Sequence, residues 1–381
     1  MKFSLELKNL SIALSVVVRA VAGKDIRPIL ANILILAAND ELRLIGTDLE
    51  IIMIARLPAE VESECHFTIP AKLLSEVIGA MPVFGDDPRV TFELPEGQNN
   101  KIQLSCGSTK YDLQIQGIED FPPIPTLEGE DYPSFEIASA DFKRSIREAA
   151  IAMGAEDSKP SQRCICMNFA MGNEPHNGQI VFVATDSKRL AVSTLSNVTF
   201  PPEFERTFLL PARAEPELLK LLDDASTVTV GLFSGQLIFT SPKFQLLTRL
   251  IDAKFPDYSR VLPKECSRTM TAHRKDLQQA LKAIFPIAKY SSSMVHLDIG
   301  PNETRIWAES KEQGLSECFL PTTLTGEPLN IAFNIVFLLE FLAVLDEDSV
   351  VLEMTTPSYP GLVRTPSEDR SFKYVVMPMT F

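Results

Sequence analysis

Apolar positions along the chain fall into helical and strand periods that recur in one order. Leu10, Leu14, Val17, Val18 and Val21 lie at i, i+4, i+7, i+8 and i+11, the offsets that line one face of a helix. Phe142, Ile146, Ala149, Ala150 and Met153 repeat those offsets, and Leu277, Leu281, Ile284 and Ala288 follow the same rule a third time. The spacing predicts helices over 8–22, 140–153 and 274–289. Short β-like runs follow each helix: 33–36 and 41–45, then 180–183, then 295–299. A second helix is predicted after each set, over 71–80, 212–223 and 333–346. Each is entered from a matched strand-like stretch, at 67–74, 208–213 and 329–334. Pro70 and Pro211 stand where the first two of these helices would begin, a place that suits a fixed φ and a missing N–H. The third has no such proline.

Two further echoes set the phase of the repeat. Gly46-Thr47-Asp48-Leu49-Glu50 answers Ala184-Thr185-Asp186-Ser187-Lys188-Arg189, and Asp120-Phe121-Pro122-Pro123-Ile124-Pro125 answers Lys254-Phe255-Pro256-Asp257-Tyr258. The proline-bearing closings, with the polar 128–131 after the first, read as linkers. Three repeats in 381 residues give domains of ordinary size, placed at 1–127, 134–263 and 267–381. The fold class is α+β, with two helices per domain on one face of an antiparallel sheet of six to eight strands. The alternative is a single irregular α+β protein with chance echoes; the shared order across all three segments weighs against it.

Composition narrows the class without naming it. Apolar residues are 45% and charged residues 23%, as in ordinary globular chains. No apolar run approaches a bilayer-spanning length, and the opening MKFSLELKNL is amphipathic with no apolar run after it, so the expectation is a cytoplasmic protein without membrane association. The net charge of −14 argues against nucleic acid only if it is evenly spread. It is not: the three opening helices hold nine bases against Asp141, Glu148 and Asp276, whereas the second helices are acidic. A basic stripe recurring in an acidic body suits contact with a phosphate backbone at one surface, without base reading. Lys24 and Arg27 add two bases beside the first helix.

Familiar catalytic signatures are missing. There is no G-x-x-x-x-G-K-[ST] loop, G-x-G-x-x-G turn or H-E-x-x-H helix, and no paired-cysteine metal spacing. The sequence therefore suggests neither a metal nor a cofactor. His66, His176, His273 and His296 are isolated, which favours structural or surface roles. The six cysteines are scattered and read as reduced structural thiols; Cys164 and Cys166 would share one face of a strand. Asp48, Glu50 and Asp186 are carboxylates that could do acid–base work. The recurrence of the Thr-Asp pair favours instead a turn held through backbone hydrogen bonds.

Gly-Thr-Asp-Leu-Glu at 46–50, Ala-Thr-Asp-Ser-Lys-Arg-Leu-Ala at 184–191, Phe-Pro-Asp-Tyr-Ser-Arg-Val-Leu-Pro at 255–263, Ala-Phe-Asn at 332–334 and Tyr-Val-Val-Met-Pro-Met at 374–379 closely resemble the bacterial DNA polymerase III β-subunit family, the sliding clamps. The resemblance spans essentially the whole chain. It implies a non-catalytic processivity factor: a head-to-tail homodimer whose two three-domain subunits close a six-domain ring around duplex DNA. Helices line the hole and a continuous sheet forms the outside. It also implies opening by an ATP-driven clamp loader and tethering of replicative and repair polymerases through short peptides.

The family's peptide pocket, carried over by motif, would have a floor of Leu190, Pro256, Val261, Val375 and Met377. Thr185, Arg189, Arg260, Asn334, Phe337, Val376, Pro378 and Met379 would stand around them. Aliphatic and methionine side chains suit an apolar peptide anchor. The terminal Val-Val-Met-Pro-Met could alternatively be an edge strand packed on its own domain. DNA contact is expected at Lys24, Arg27, Lys143, Arg147 and Lys282, and the subunit contact between Tyr111 and Leu113 of one copy and Phe285 and Ile287 of the other. The chain departs from the family pattern at Ser187-Lys188, at Cys166 and at the closing Thr380-Phe381, which bears on peptide preference. An enzyme built on Asp48, Glu50 or Asp186, and an interaction scaffold without DNA, are the readings from other classes.

Overall fold

The computed structural model describes residues 1–23, 27–82, 88–94, 100–127, 129–172, 178–223, 226–367 and 371–380. Among the described residues the α-helices are α1 (Leu7–Val17), α2 (Ala71–Ala80), α3 (Ser139–Ala150), α4 (Glu215–Asp223), α5 (Arg274–Ala288) and α6 (Ile335–Val344). Most of the periodic apolar positions are buried. Leu10, Leu14 and Val17 of α1, Phe142, Ile146 and Ala149 of α3, and Leu281, Ile284 and Ala288 of α5 are all at most 1% exposed. Each large aliphatic side chain so buried contributes about 1.5–3 kcal/mol.

Helix ends differ from the periodic pattern for local reasons. The first helix stops at Val17, and Val18–Ala20 tightens into a 3₁₀ turn, because consecutive β-branched residues at 16–18 crowd an α-helical turn. The last turn of α3 likewise closes with i→i+3 bonds, from the N–H of Ala152 to Ala149 O and from that of Met153 to Ala150 O. Pro70 is the N-cap of α2 as its spacing predicts. Pro211, by contrast, ends the strand Thr207–Pro211, and a three-residue turn separates it from α4. The proline within α4's first turn is Pro216, where N–H groups have no intrahelical partner to lose.

Contacts divide the chain into two compact units, one of residues 1–140 and 213–250, the other of 141–212 and 251–381. Packing thus splits the middle repeat, because strand pairing crosses the repeat boundaries. In the first unit an antiparallel eight-stranded sheet runs Ser134–Ala138, Thr227–Phe233, Gln236–Thr240, Phe244–Arg249, Ile51–Pro58, Glu41–Thr47, Asn32–Ala38, Cys65–Pro70. Its middle-repeat half joins its first-repeat half where Leu246 faces Met53 and Thr248 faces Ile51. A five-stranded sheet ends at Thr109–Gln114.

In the second unit the nine-stranded sheet runs Thr207–Pro211, Cys164–Ala170, Gly178–Thr185, Arg189–Val198, Phe372–Val376, Gly361–Arg364, Ser349–Met354, Arg268–His273, Thr323–Thr325. The cross-repeat joint here pairs Arg189 with Val376 and Leu190 with Val375. A four-stranded sheet ends at Gly314–Pro321. Every ladder among the described residues is antiparallel.

Alternation along the strands gives each large sheet two different faces. In the first unit α1 packs on the strands Glu41–Thr47 and Ile51–Pro58, and Leu34, Ile45, Ile54 and Leu247 form a second cluster covered by Phe121 and its neighbours. In the second unit α5 and α6 belong to a cluster containing Ala184, Ala191 and Val376, while Cys166, Val183, Leu190, Val192 and Val375 belong to another.

Candidate partner-peptide pocket

This last cluster collects the motif residues of the second unit. Leu190 and Val375 face each other across the joint, 2% and 1% exposed, beside Cys164, Cys166, Val183 and Val192. Phe255, Tyr258, Val261 and Leu262 lie over the sheet, partly buried. Their segment is the proline-bearing closing of the middle repeat. Burial pushes the thiols of Cys164 and Cys166 up to about 12, so both are neutral apolar wall and not nucleophiles. Burial, with Cys166 nearby, also raises the Tyr258 phenol.

The rim is built by one turn and one helix start. Thr185 Oγ1 donates to Arg189 O at 2.7 Å and accepts from the Ser187 N–H, while Asp186 Oδ1 accepts from the N–H groups of Lys188 and Arg189 at 2.8 and 3.0 Å. Ser187 has φ +75°, the left-handed conformation that favours glycine. The first repeat builds the same turn: Thr47 Oγ1 donates to Ile51 O, Asp48 Oδ1 accepts from Glu50 and Ile51, and Leu49 has φ +77°. The remaining oxygen of Asp48 takes Arg213 Nε at 2.7 Å. These aspartates hold turns, as the recurrence implies.

Arg189 ties the rim together. Its guanidinium meets Asp186 at 3.0 Å, pairs with Glu340, and lies 4.2 Å from the ring centroid of Phe337 on α6. It also reaches the Tyr374 hydroxyl at 3.4 Å, and burial pushes that phenol well above its usual range against the pull of Arg189. Asn334 caps α6, its Oδ1 accepting the Val336 N–H at 2.9 Å. Beyond the last strand the backbone stays tethered: Met377 donates to Lys188 O and Met379 to Ala332 O. Met377, Pro378 and Met379 are therefore held half-exposed.

One predicted pocket position falls on the other face of the sheet. Val376 points to the opposite sheet face, into the helix-bearing core with Phe333, because neighbouring strand residues alternate. Arg260 is 87% exposed and bound to Asp257 at 3.1 Å. Pro256 is exposed on the covering segment. Phe372–Val376 is an interior strand with partners on both sides, not an edge. The sequence motifs did not mark Val181, Val183, Val192 or Leu362 for this cluster, although all but Leu362 follow the i, i+2 rule that the sequence shows at Cys164 and Cys166. Glu340 gave no local signal.

Of the predicted DNA-facing bases, Arg27, Arg147 and Lys282 are exposed and Lys143 is partly buried. Lys24 lies outside the described residues. One helix base is plainly structural, since Arg274 donates to Glu347 O and Leu342 O at the end of α6. Tyr111 and Leu113 lie on the outermost strand of the five-stranded sheet, Leu113 buried; Phe285 and Ile287 pack partly against the helix core. Among the described residues no cluster of His, Cys, Asp and Glu could hold a metal, and no helix is long and apolar enough to cross a membrane.

Repeated modules of two helices and antiparallel sheet, with the closing strand of one repeat bonded into the sheet of the one before, define a clamp-type protein. The family models agree. Residues 1–136, 136–257 and 259–380 match the N-terminal, central and C-terminal domains of the DNA polymerase III beta subunit. The beta sliding clamp of Vibrio cholerae is 29% identical over 382 residues, with all of both chains covered, and that of Synechococcus elongatus 27% over 386, covering 100% of this chain and 99% of its own. Among solved structures, the Pseudomonas aeruginosa DNA polymerase III subunit beta superposes at TM-score 0.89 with 26% identity, and a Bartonella birtlesii sliding clamp bound to griselimycin at 0.91 with 25%. Both alignments cover all of each chain. The chain belongs to the DNA polymerase III beta-subunit family, and its function is that of a sliding clamp for processive replication.

Proposed function

We propose that the chain works without catalysing a reaction, as half of a homodimeric ring with clamp domains at 1–127, 134–263 and 267–381. The ring encircles double-stranded DNA in the cytoplasm, is placed there by a clamp loader, and holds replicative and repair polymerases through the Leu190–Val375 pocket. The carrying observation is the strand-pairing scheme. Phe244–Arg249 bonds to Ile51–Pro58, and Phe372–Val376 bonds to Arg189–Val198, so the last strand of one repeat joins the sheet of the preceding one. Thr109–Gln114 in the first repeat and Gly314–Pro321 in the third each end their sheets. Leu315 and Phe319, on the second of these edges, are 53% and 54% exposed. Open edges invite pairing, and two copies satisfying both edges head to tail form a closed two-fold assembly.

Tyr111 and Leu113 lie on one such edge, with Phe285 and Ile287 as apolar support for the other. Arg27, Lys143, Arg147 and Lys282, with Lys24, supply sequence-independent phosphate contacts. These stay weak enough for sliding because retention is topological. A catalytic role for Asp48 or Asp186 has no support, since their oxygens are engaged by backbone N–H groups and arginines.

Sedimentation should give twice the 42.3 kDa chain mass, and Leu315→Asp with Phe319→Asp should reduce it to one. Loaded onto nicked circular DNA, the protein should survive high salt and leave once the circle is cut; salt loss from the intact circle would refute linkage. Deleting residues 377–381 should abolish binding of polymerase peptides while leaving dimerisation intact, and unchanged peptide affinity would remove the pocket assignment.

A further inference from the structure

The two cross-repeat joints carry the same ionic chain, assembled from different parts. At the first, Asp48 of the 47–51 turn takes Arg213 Nε on Oδ2 at 2.7 Å, and Arg213 Nη1 lies 3.2 Å from Glu217 of α4. At the second, Asp186 of the 185–189 turn takes Arg189 Nε at 3.0 Å, and Arg189 Nη1 pairs with Glu340 of α6. Each chain runs from the hairpin turn of one repeat, through an arginine, to a glutamate on the second helix of the next. At the first joint the arginine comes from the later repeat, just ahead of α4; at the second it comes from the turn itself. Two sequence routes to one aspartate–arginine–glutamate link mark the link, and not the arginine's position, as what a joint requires.

Burial and shared donors give the link its strength. The Glu217 side chain is 5% exposed and is held by Arg19 Nε at 2.5 Å as well as by Arg213, while Arg213 Nη2 donates to Arg19 O at 2.5 Å. The first joint is thus tied both to the turn and to the 3₁₀ segment Val18–Ala20 that follows α1. Charge-assisted bonds of this kind are stronger than neutral ones, and removing one member leaves the others uncompensated.

The third repeat does not continue the scheme. Its matching hairpin turn leaves Ser310 where the others leave Thr47 and Thr185, and the next residue is Lys311 where they have Asp48 and Asp186. Its left-handed residue is Gly314, the last of the turn, whereas Leu49 and Ser187 stand third. On the receiving side, Pro70-Ala71-Lys72 answers Pro211-Ala212-Arg213, and Lys72 and Glu76 stand i, i+4 as Arg213 and Glu217 do, but 91% and 64% exposed. Lysine in the aspartate's place and lysine in the arginine's place do not make the link.

We propose that Arg213 and Arg189 are positioning residues whose aspartate–arginine–glutamate straps hold the two joints within the chain shut, so that a ring opened for loading gives way between copies. The role during opening rests on the ring reading above; the strap at each joint does not.

Arg213 is the cleaner probe, because Arg189 also builds the pocket rim. In the full chain carrying Arg213→Ala, amides of the joint strands Ile51–Pro58 and Phe244–Arg249 should exchange with deuterium about tenfold or more faster. Those of Asn32–Ala38 and Cys65–Pro70, at the far end of the same sheet, should change by less than about twofold. Arg213→Lys should fall between, since it keeps the charge without the planar fork, and it carries the test if the alanine variant does not fold. Equal acceleration along the whole sheet, as from a residue that only stabilises the unit, or none at the joint, would overturn the strap. Loaded on nicked circular DNA, Arg213→Ala should have a residence time about threefold or more shorter. Unchanged residence with a faster-exchanging joint would overturn the role during opening. Wild-type protein that is not retained on circles would remove the ring reading and that role with it, while the exchange pattern still decides the strap.

Discussion

Replacing Arg189 by alanine removes one side chain from four partners at once. The guanidinium is 11% exposed and bridges Asp186, itself 16% exposed, to the more open Glu340, 42% exposed. Removing one member of a buried ion pair costs about 3–5 kcal/mol, because the other is left as an uncompensated charge. Asp186 would keep its two backbone N–H donors and Glu340 would be rehydrated, which places Arg189→Ala at the lower end, about 3 kcal/mol. Loss of the stacking on Phe337 adds about 0.5–1 kcal/mol.

Urea unfolding followed by Trp307 fluorescence measures this directly. The single tryptophan lies in the same unit, stacked on His296. For a unit of this size a loss of about 3.5–4 kcal/mol in all corresponds to a fall in Tm of roughly 7–16 °C. Arg189→Lys should fall between, since it retains charge without the planar fork. The double variant with Asp186→Ala should cost clearly less than the sum of the two single changes. A loss below about 1 kcal/mol, within the range of exposed pairs, or equal costs for alanine and lysine, would refute the reasoning.

Burial raises the Glu148 carboxyl to about 6, against the pull of a 2.5 Å hydrogen bond from Ser193. The folded state therefore holds a proton that the unfolded chain releases near the ordinary carboxyl value of 4.5, so this group's contribution is most favourable below pH 4.5 and falls away up to pH 6. Glu148→Gln should raise stability by about 2 kcal/mol at pH 7.5 and change it little at pH 4, read from urea midpoints at both; an equal effect at both would contradict the assignment. Ser187→Gly should raise the urea midpoint: relief of left-handed strain, about 1–2 kcal/mol, outweighs the extra freedom of glycine in the unfolded chain, about 0.4–1 kcal/mol. A lowered midpoint would show that the exposed Gln162–Ser187 hydrogen bond matters more than backbone strain.

Local rules carried much of this protein's structure into its sequence. The 3.6-residue spacing of Leu277, Leu281, Ile284 and Ala288 marks a helix and its buried face, because one face must leave water. The recurring Thr-Asp pair marks a turn, because a threonine hydroxyl and an aspartate oxygen reach backbone groups two to four residues away. The motif residues Leu190 and Val375 meet across the joint between two strands of the sheet. Which face each neighbour of a motif residue takes was legible only through strand alternation, and Val376 went the other way.

What tertiary structure alone decided depends on contacts between residues far apart in the chain. The meeting of Arg189 with Glu340, of Arg213 with Asp48, and of Phe244–Arg249 with Ile51–Pro58 is set by strand register across repeat boundaries. A sequence states the period of an element and its turn chemistry, since both arise within a few residues. It does not state which edge an element will meet, because that choice is made by the burial of the whole sheet.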